Sequence, residues 1–268
     1  MKSVALKLPK PLAFYPTKIS SEKRLLALIE DLRPRKLDQE LIRLGPTTDG
    51  GYMVAANLDG ITDCFSPGVD VNSKFEKACA DLGMNVFMAD ASVDGPAEAH
   101  ELFHFDKKFI GSYTKDEFVS INEWISSKAA TTGKGDWLLQ MDIEGFEYET
   151  IYSLSEELQS KFRLMVIEFH RLEALFSELG FDFFERAFRK ILSTHDCIHI
   201  HPNNVADSTR CHGFEIPWFA EFTFLRKDFV TGNNLVPELP HPLDCRCDPD
   251  RPELYLDPIW FGNQPTRK

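Results

Sequence analysis

No apolar run in this sequence approaches the roughly 20 residues that a membrane-spanning helix requires, so no membrane span is expected. The opening MKSVALKLPKPLAFYPTK sets Lys and Pro where a secretory leader needs an unbroken apolar stretch, and the expected location is cytoplasmic. Positive charge is also in short supply. Lys and Arg total 30 against 42 Asp and Glu, a formal net charge of −12. Gripping nucleic acid by its phosphates takes a basic surface, so no nucleic-acid partner is expected. Cysteine pairs are missing too. Cys64, Cys79, Cys197 and Cys211 stand alone, and only Cys245 and Cys247 lie close, in a C-x-C. That is not the paired spacing of a zinc site. Free thiols in a reducing compartment are the reading, with a site from Cys211, His212, Cys245 and Cys247 as its alternative.

What remains is an ordinary globular composition. Of 268 residues, 43% are hydrophobic and 27% charged, and the 22 Phe point to a Phe-rich core. Residues 1–40 read as a Lys- and Pro-rich arm followed by the helix "SEKRLLALIEDLRP", with Ser21 at its N-cap and Pro34 as its stop. Residues 41–230 form the main domain. "DGGYMVAANL" is a glycine turn into a strand. From residue 61, strands alternate with helices: "ITDCFSPG", "MNVFMAD", "HFDKKFIG", "DWLLQMDIE", "FRLMVIEFH", "CIHIHPNN" and "FAEFTFLRKD" are strands. "NSKFEKACADLG", "SINEWISSKA", "FEYETIYSLS" and "FDFFERAFRKILSTH" are helices, the first capped by Asn72 or Ser73 and stopped by Gly83. This alternation predicts an α/β fold with a mostly parallel central sheet and helices on both faces. Residues 231–268, rich in Pro and Asp, should be irregular and packed over the surface.

In such sheets, ligands bind beyond the carboxyl ends of the strands. "FSPGVDVNSKFE" is a strand, a tight turn at Gly68 and a helix, but Asp70 stands where a dinucleotide site has its second glycine. Asp90 closes the next strand, near the interval of about 20 residues at which an acidic residue meets a ribose. Together they suggest a nucleoside-bearing cofactor without a pyrophosphate. "WLLQ" is a buried strand and "MDIEG" its exit, and alternation puts Asp142 and Glu144 on one side. Glu147 and Glu149 read as acidic residues favouring a helix N-terminus. Glu168 and His170 share a face at another strand end. So do His199 and His201, with Asn203 and Asn204 just beyond, and Glu221 sits in an aromatic strand. Apolar strands thus deliver polar groups to one rim.

"DGGY", "SPGVDVNSKFE", "MDIEGFEYETI", "VIEFH", "HIHPNN" and "EFTFLRKD" occur in the order found in FkbM-type methyltransferases. The chain resembles that family over roughly residues 41–230. The resemblance implies a Rossmann-like class I methyltransferase fold. It also implies S-adenosylmethionine as methyl donor, S-adenosylhomocysteine as product, and O-methylation of a sugar, glycoconjugate or small metabolite. Ser66, Gly68 and Asp70 would lie in the cofactor loop, Asp90 and Ala91 at the ribose, and Asp49, Gly50, Gly51 and Tyr52 near the cofactor. Asp142 and Glu144 would lie near the methionine end or the acceptor. Pro67 and Asp70 depart from the family's Gly-rich turn.

Methyl transfer to a hydroxyl needs in-line alignment and a base. His170 or His201 is expected as base, with Asp142 or Glu144 orienting the acceptor. Glu168, His199, Asn203, Asn204 and Glu221 would bind a small-molecule or glycan acceptor. A divalent cation on Asp142, Glu168, His170 and His201 is an alternative that no contiguous ligand motif favours. Two other classes remain: a dinucleotide-dependent oxidoreductase and a non-catalytic binding module on the same fold.

Overall fold

The computed structural model describes residues 17–262 apart from 129 and 233; the first part of the expected arm lies outside the described residues. Helix α1 (Glu22–Leu32) follows Ser21, which occupies the N-cap without a side-chain capping bond. Its stripe of Leu25, Leu28, Ile29 and Leu32 is buried in the main core. A short antiparallel hairpin follows, β1 (Leu41–Leu44) and β2 (Tyr52–Ala55), of which only the second strand was expected.

The alternating section begins with β3 (Ile61–Pro67), α2 (Lys74–Asp81) and β4 (Asn85–Ala89). The segment "HFDKKFIG", expected as one strand, is two: β5 (Phe103–Asp106) and β6 (Phe109–Gly111). A turn between them is closed by the Lys108 N–H donating to the Asp106 carbonyl at 2.8 Å. Then come β7 (Phe118–Ser120), α3 (Ile121–Ser127), β8 (Asp136–Met141), α4 (Glu147–Ser153) and α5 (Glu156–Gln159). β9 (Phe162–Phe169), α6 (Glu178–Thr194) and β10 (His195–Pro202) complete the alternation. A hairpin of β11 (Ser208–Cys211) and β12 (Phe214–Pro217) was not anticipated. Its two-residue turn, His212-Gly213, has positive φ at both positions, 53° and 84°, as a tight hairpin demands. β13 (Ala220–Arg226) is last.

Seven strands form the central sheet in the order β10-β13-β9-β8-β3-β4-β5. β13 runs antiparallel to both neighbours; the other pairings are parallel. The protein is therefore a mixed α/β fold with a mostly parallel sheet flanked by helices, compatible with a Rossmann-like architecture. Alternation along each strand feeds two apolar layers. Leu139, Met165 and Phe222 face α1, α3, α4 and α6, whereas Leu138, Val166 and Cys64 face α2 and the β1–β2 hairpin. The first layer holds stacked and edge-on Phe rings, such as Phe65 on Phe87 and Phe169 on Phe222. No helix among the described residues is long and apolar enough to cross a membrane.

The chain steps outward from β3 to β4 to β5, then returns to place β8 on the other side of β3. That reversal opens a crevice beyond the carboxyl ends of β3 and β8, the usual place for a ligand in such sheets.

Candidate functional site

A cavity of about 560 Å³ occupies that crevice. This lies within the range of small-molecule and cofactor sites. Asp49, Gly50, Tyr52, Gly68, Asp70, Asp90, Asp142 and Glu144 line it, so eight of the residues singled out in the sequence converge there. Phe109, Ile110, Phe118 and Phe146 form an apolar wall, with Phe118 and Phe146 ring centroids 5.3 Å apart. Glu76 and Gln140 lie on the buried side.

The loops after β3 and β8 touch, and Gly68 is the reason they can. A Cβ there would lie 1.6 Å from the Asp142 carbonyl oxygen, and its φ is +85°. The glycine serves loop-to-loop packing, not only approach of a ligand as the turn suggested. Asp70 takes a left-handed φ of 47°, uncommon for a residue with a side chain. Its N–H donates to Asp90 Oδ2 at 2.9 Å, while Asp90 Oδ1 accepts from the Ser92 N–H and hydroxyl at 2.7 and 2.6 Å. Asp90 thus ties the loop after β4 to the loop after β3 at the cavity wall.

Below the cavity runs a buried polar chain. Ser66 Oγ lies 2.5 Å from Glu76 Oε1 and 2.6 Å from Gln140 Oε1, and Gln140 Nε2 donates to the Tyr52 hydroxyl at 3.2 Å. A serine has one proton to give. If it donates to Gln140, a protonated Glu76 can donate to it in turn and complete the chain. Burial pushes the Glu76 pKa up to about 7 against the opposing bond from Ser66, in keeping with that arrangement.

β8 stops at Met141, so Asp142 and Glu144 leave the sheet on a loop and not on one strand face as alternation suggested. Glu144 has φ 56° and Gly145 φ 101°. This curled loop points the Ile143 and Gly145 N–H groups at Glu147 Oε1, at 3.1 and 2.9 Å. The same oxygen lies 3.1 Å from His170 Nδ1. Glu147, read in the sequence as a helix-start acid, is fully buried and holds both the loop and the imidazole. His170 Nε2 turns toward Asp142 Oδ1 at 3.8 Å and Glu144 Oε2 at 3.6 Å, while its ring packs 4.5 Å from that of Phe219. Burial alone would lower the His170 pKa. The bond and charge of Glu147, with Asp142 and Glu144, outweigh it and raise the pKa above the ordinary imidazole value. Asp142 reaches the cavity, but its Oδ1 is buried without a hydrogen-bond partner. Burial and then the Glu168 charge push its pKa well above the usual carboxylate range, and His170 only partly offsets them.

His170 and the remaining expected site residues fall outside the cavity lining, although His170 Nε2 faces its residues Asp142 and Glu144. His201, Glu221 and Glu168 sit in one register row across β10, β13 and β9, each at most 3% exposed. Asn203 donates to Glu168 Oε1 at 2.9 Å. Asn204 donates to the carbonyls of Asp248, Arg251 and Pro252 and accepts from the Asp248 N–H. His199 pairs with Asp244 at 3.0 Å. The two asparagines and His199 thus anchor the chain internally, away from the cavity lining. The C-terminal segment is irregular, but it is more than a surface cover: Cys247 and Trp260 are buried. Ser66 lies beneath the cavity floor, Ala91 lies outside the lining, and Gly51 packs where a Cβ would meet the Pro46 carbonyl at 1.9 Å.

Three groups among the described residues could hold a metal: Asp142, Glu147 and His170; Asp49, Glu168 and Glu221; and His201, Glu221 and Cys247. None contains Cys211, His212 or Cys245. The aromatic wall, Glu76 and the Glu147 brace were missed in the sequence. Of these only Glu147 carried a signal, an acid three residues after Glu144 in "MDIEGFE". No family model matches this chain, and no curated protein matches it.

Proposed function

We propose that the protein is an S-adenosylmethionine-dependent methyltransferase acting on a hydroxyl of a small molecule or glycan. The observation that carries this reading is the charge of the cavity. Asp49, Asp70, Asp90, Asp142 and Glu144 line it, and among the described residues no Lys or Arg does. A pyrophosphate would be repelled there, which counts against a dinucleotide. A sulfonium with an ammonium group would be welcomed. The aromatic wall suits a purine face, and Asp90 sits at the strand end where a carboxylate can take ribose hydroxyls. The single antiparallel strand in an otherwise parallel sheet also agrees with the class I methyltransferase fold implied by the sequence resemblance.

Bound in the cavity, S-adenosylmethionine would supply an electrophilic methyl group. The chain's own residues then have distinct tasks. Glu147 accepts a hydrogen bond from the Nδ1–H of His170 and so leaves the Nε2 lone pair directed toward Asp142 and Glu144. That nitrogen is the base for the acceptor hydroxyl, and Asp142 steadies the imidazolium formed. His201 is the weaker candidate: neither histidine lines the cavity, but His170 Nε2 faces the lining residues Asp142 and Glu144, whereas His201 faces Glu221 and Glu253, which do not line it. The apolar wall of Phe109, Ile110, Phe118 and Phe146 limits water in the cavity beside the loop.

The test is isothermal titration of the protein with S-adenosylhomocysteine, beside Asp90→Ala and with NADH as a control. Saturable binding that the folded variant loses, with no response to NADH, supports the reading. A wild type that does not bind S-adenosylhomocysteine removes it.

A further inference from the structure

Outside the cavity, at the same rim of the sheet, three different donor side chains meet. The register sets His201 of β10 beside Glu221 of β13, and the C-terminal segment brings in Cys247. Their exposures are 1%, 3% and 4%. Glu221 Oε1 lies 3.4 Å from Cys247 Sγ, and Glu221 Oε2 lies 3.6 Å from His201 Nδ1. A tetrahedral zinc with nitrogen and oxygen at about 2.0–2.1 Å and sulfur at about 2.3 Å keeps adjacent donors roughly 3.3–3.5 Å apart. The two contacts run to different oxygens of Glu221, and one ligand atom from each of the three side chains lies within 4.8 Å of the others, so a small turn of the carboxylate closes the set to a zinc coordination shell.

A second observation points the same way. Both ring nitrogens of His201 are buried without a hydrogen-bond partner. Leaving such groups unsatisfied is unfavourable, and an ion on one side removes part of that cost. The other side is also prepared. Nε2 faces Glu253 Oε1 at 3.7 Å, itself buried and unpartnered. A carboxylate behind the far nitrogen is what steadies a metal-bound imidazole. Among the described residues, the ion pairs reaching Glu221 and Glu253 come from His201, not from Lys or Arg.

We propose that His201 Nδ1, Glu221 and Cys247 Sγ bind one zinc ion, with water in the fourth position and Glu253 behind the imidazole. This does not rest on the methyltransferase reading. A set of thiolate, imidazole and carboxylate selects zinc over the hard cations magnesium and calcium. On binding, the Cys247 thiol proton leaves to solvent, and the Sγ–zinc bond replaces its hydrogen bond to Glu221. The ion ties the C-terminal segment to β10 and β13. The Asp49 N–H donates to the Cys247 carbonyl at 3.2 Å, so the clasp also steadies a cavity-lining residue.

The full-length protein, stripped with a chelator and reloaded, tests this. Expected are one equivalent of zinc per chain and a higher melting temperature with zinc. With cobalt(II), a near-ultraviolet thiolate-to-metal absorption band should appear, be lost in Cys247→Ser, weaken in His201→Gln, and persist in Cys245→Ser. A folded wild type that shows neither the band nor a rise in melting temperature overturns the proposal, as does a band that survives Cys247→Ser. Should Cys247→Ser not fold, the wild-type spectrum and His201→Gln decide.

Discussion

Glu147 Oε1 lies 3.1 Å from His170 Nδ1 while accepting two backbone N–H groups from the loop that carries Asp142 and Glu144. One buried carboxylate therefore fixes the loop, the tautomer of the imidazole and the direction of its free nitrogen. A base must be neutral to take a proton, and the His170 pKa is raised. Methyl transfer should fall as pH drops through a value above the ordinary imidazole pKa. His170→Ala should lower kcat by about 10²- to 10⁴-fold and leave S-adenosylhomocysteine affinity nearly unchanged. Glu147→Gln removes the main raising influence, so the acid limb of the rate profile should move to lower pH. Equal pH profiles for wild type and Glu147→Gln would sink this role.

Glu76 gives a stability effect of definite sign. Its pKa is raised to about 7 by burial, so the folded state holds the proton more tightly than the unfolded chain. That contribution is fully present below the ordinary value near 4.5 and disappears as pH rises through about 7. The difference is worth about 3 kcal/mol. Urea midpoints should fall between about pH 5 and pH 8 in the wild type and fall much less in Glu76→Gln, whose amide can still donate to Ser66. Parallel pH trends in the two proteins would show that Glu76 titrates normally.

Much of this was written in the sequence, for a physical reason. β3, β4, β8 and β9 are buried on both faces, so they appear as continuous apolar runs, and the polar residue that ends each run marks the rim. Gly68, Asp90, Asp142 and His170 were legible in that way. The short strands β1, β6, β7, β11 and β12 are only three or four residues long, too brief for a period to show. Which carboxylate meets which imidazole was hidden as well. Glu147 and His170 are 23 positions apart, and Cys247 and Glu221 are 26 apart; no spacing rule links them. Asn203 and Asn204 lie outside the cavity lining, and amides that bond within the chain look like amides that bond a ligand in a sequence.

Gly68 and Gly83 form a matched pair for testing the contact between the two loops. Both have left-handed φ, +85° and +89°, but a Cβ at Gly83 meets nothing within 4 Å, whereas one at Gly68 overlaps the Asp142 carbonyl. Gly83→Ala should cost about 1–2 kcal/mol, the backbone strain alone. Gly68→Ala should cost clearly more and abolish S-adenosylhomocysteine binding, because the loop after β8 must move. Chemical denaturation measures both, and equal losses would mean that the close approach has no energetic weight.

Asp70 lets the charge argument be separated from the shape of the cavity. Its left-handed φ of 47° is one that Asn tolerates about as well, and its N–H bond to Asp90 does not use the side chain. Asp70→Asn should therefore keep the loop and the stability while removing one negative charge from the lining. S-adenosylmethionine carries the sulfonium charge, and S-adenosylhomocysteine does not. The variant should lose about 2- to 5-fold in affinity for the first and little for the second. Paired titrations of wild type and variant read this ratio directly. An equal loss for both ligands would assign Asp70 to loop geometry. An unchanged ratio with unchanged affinities would leave the acidic lining without a role in choosing a cationic cofactor.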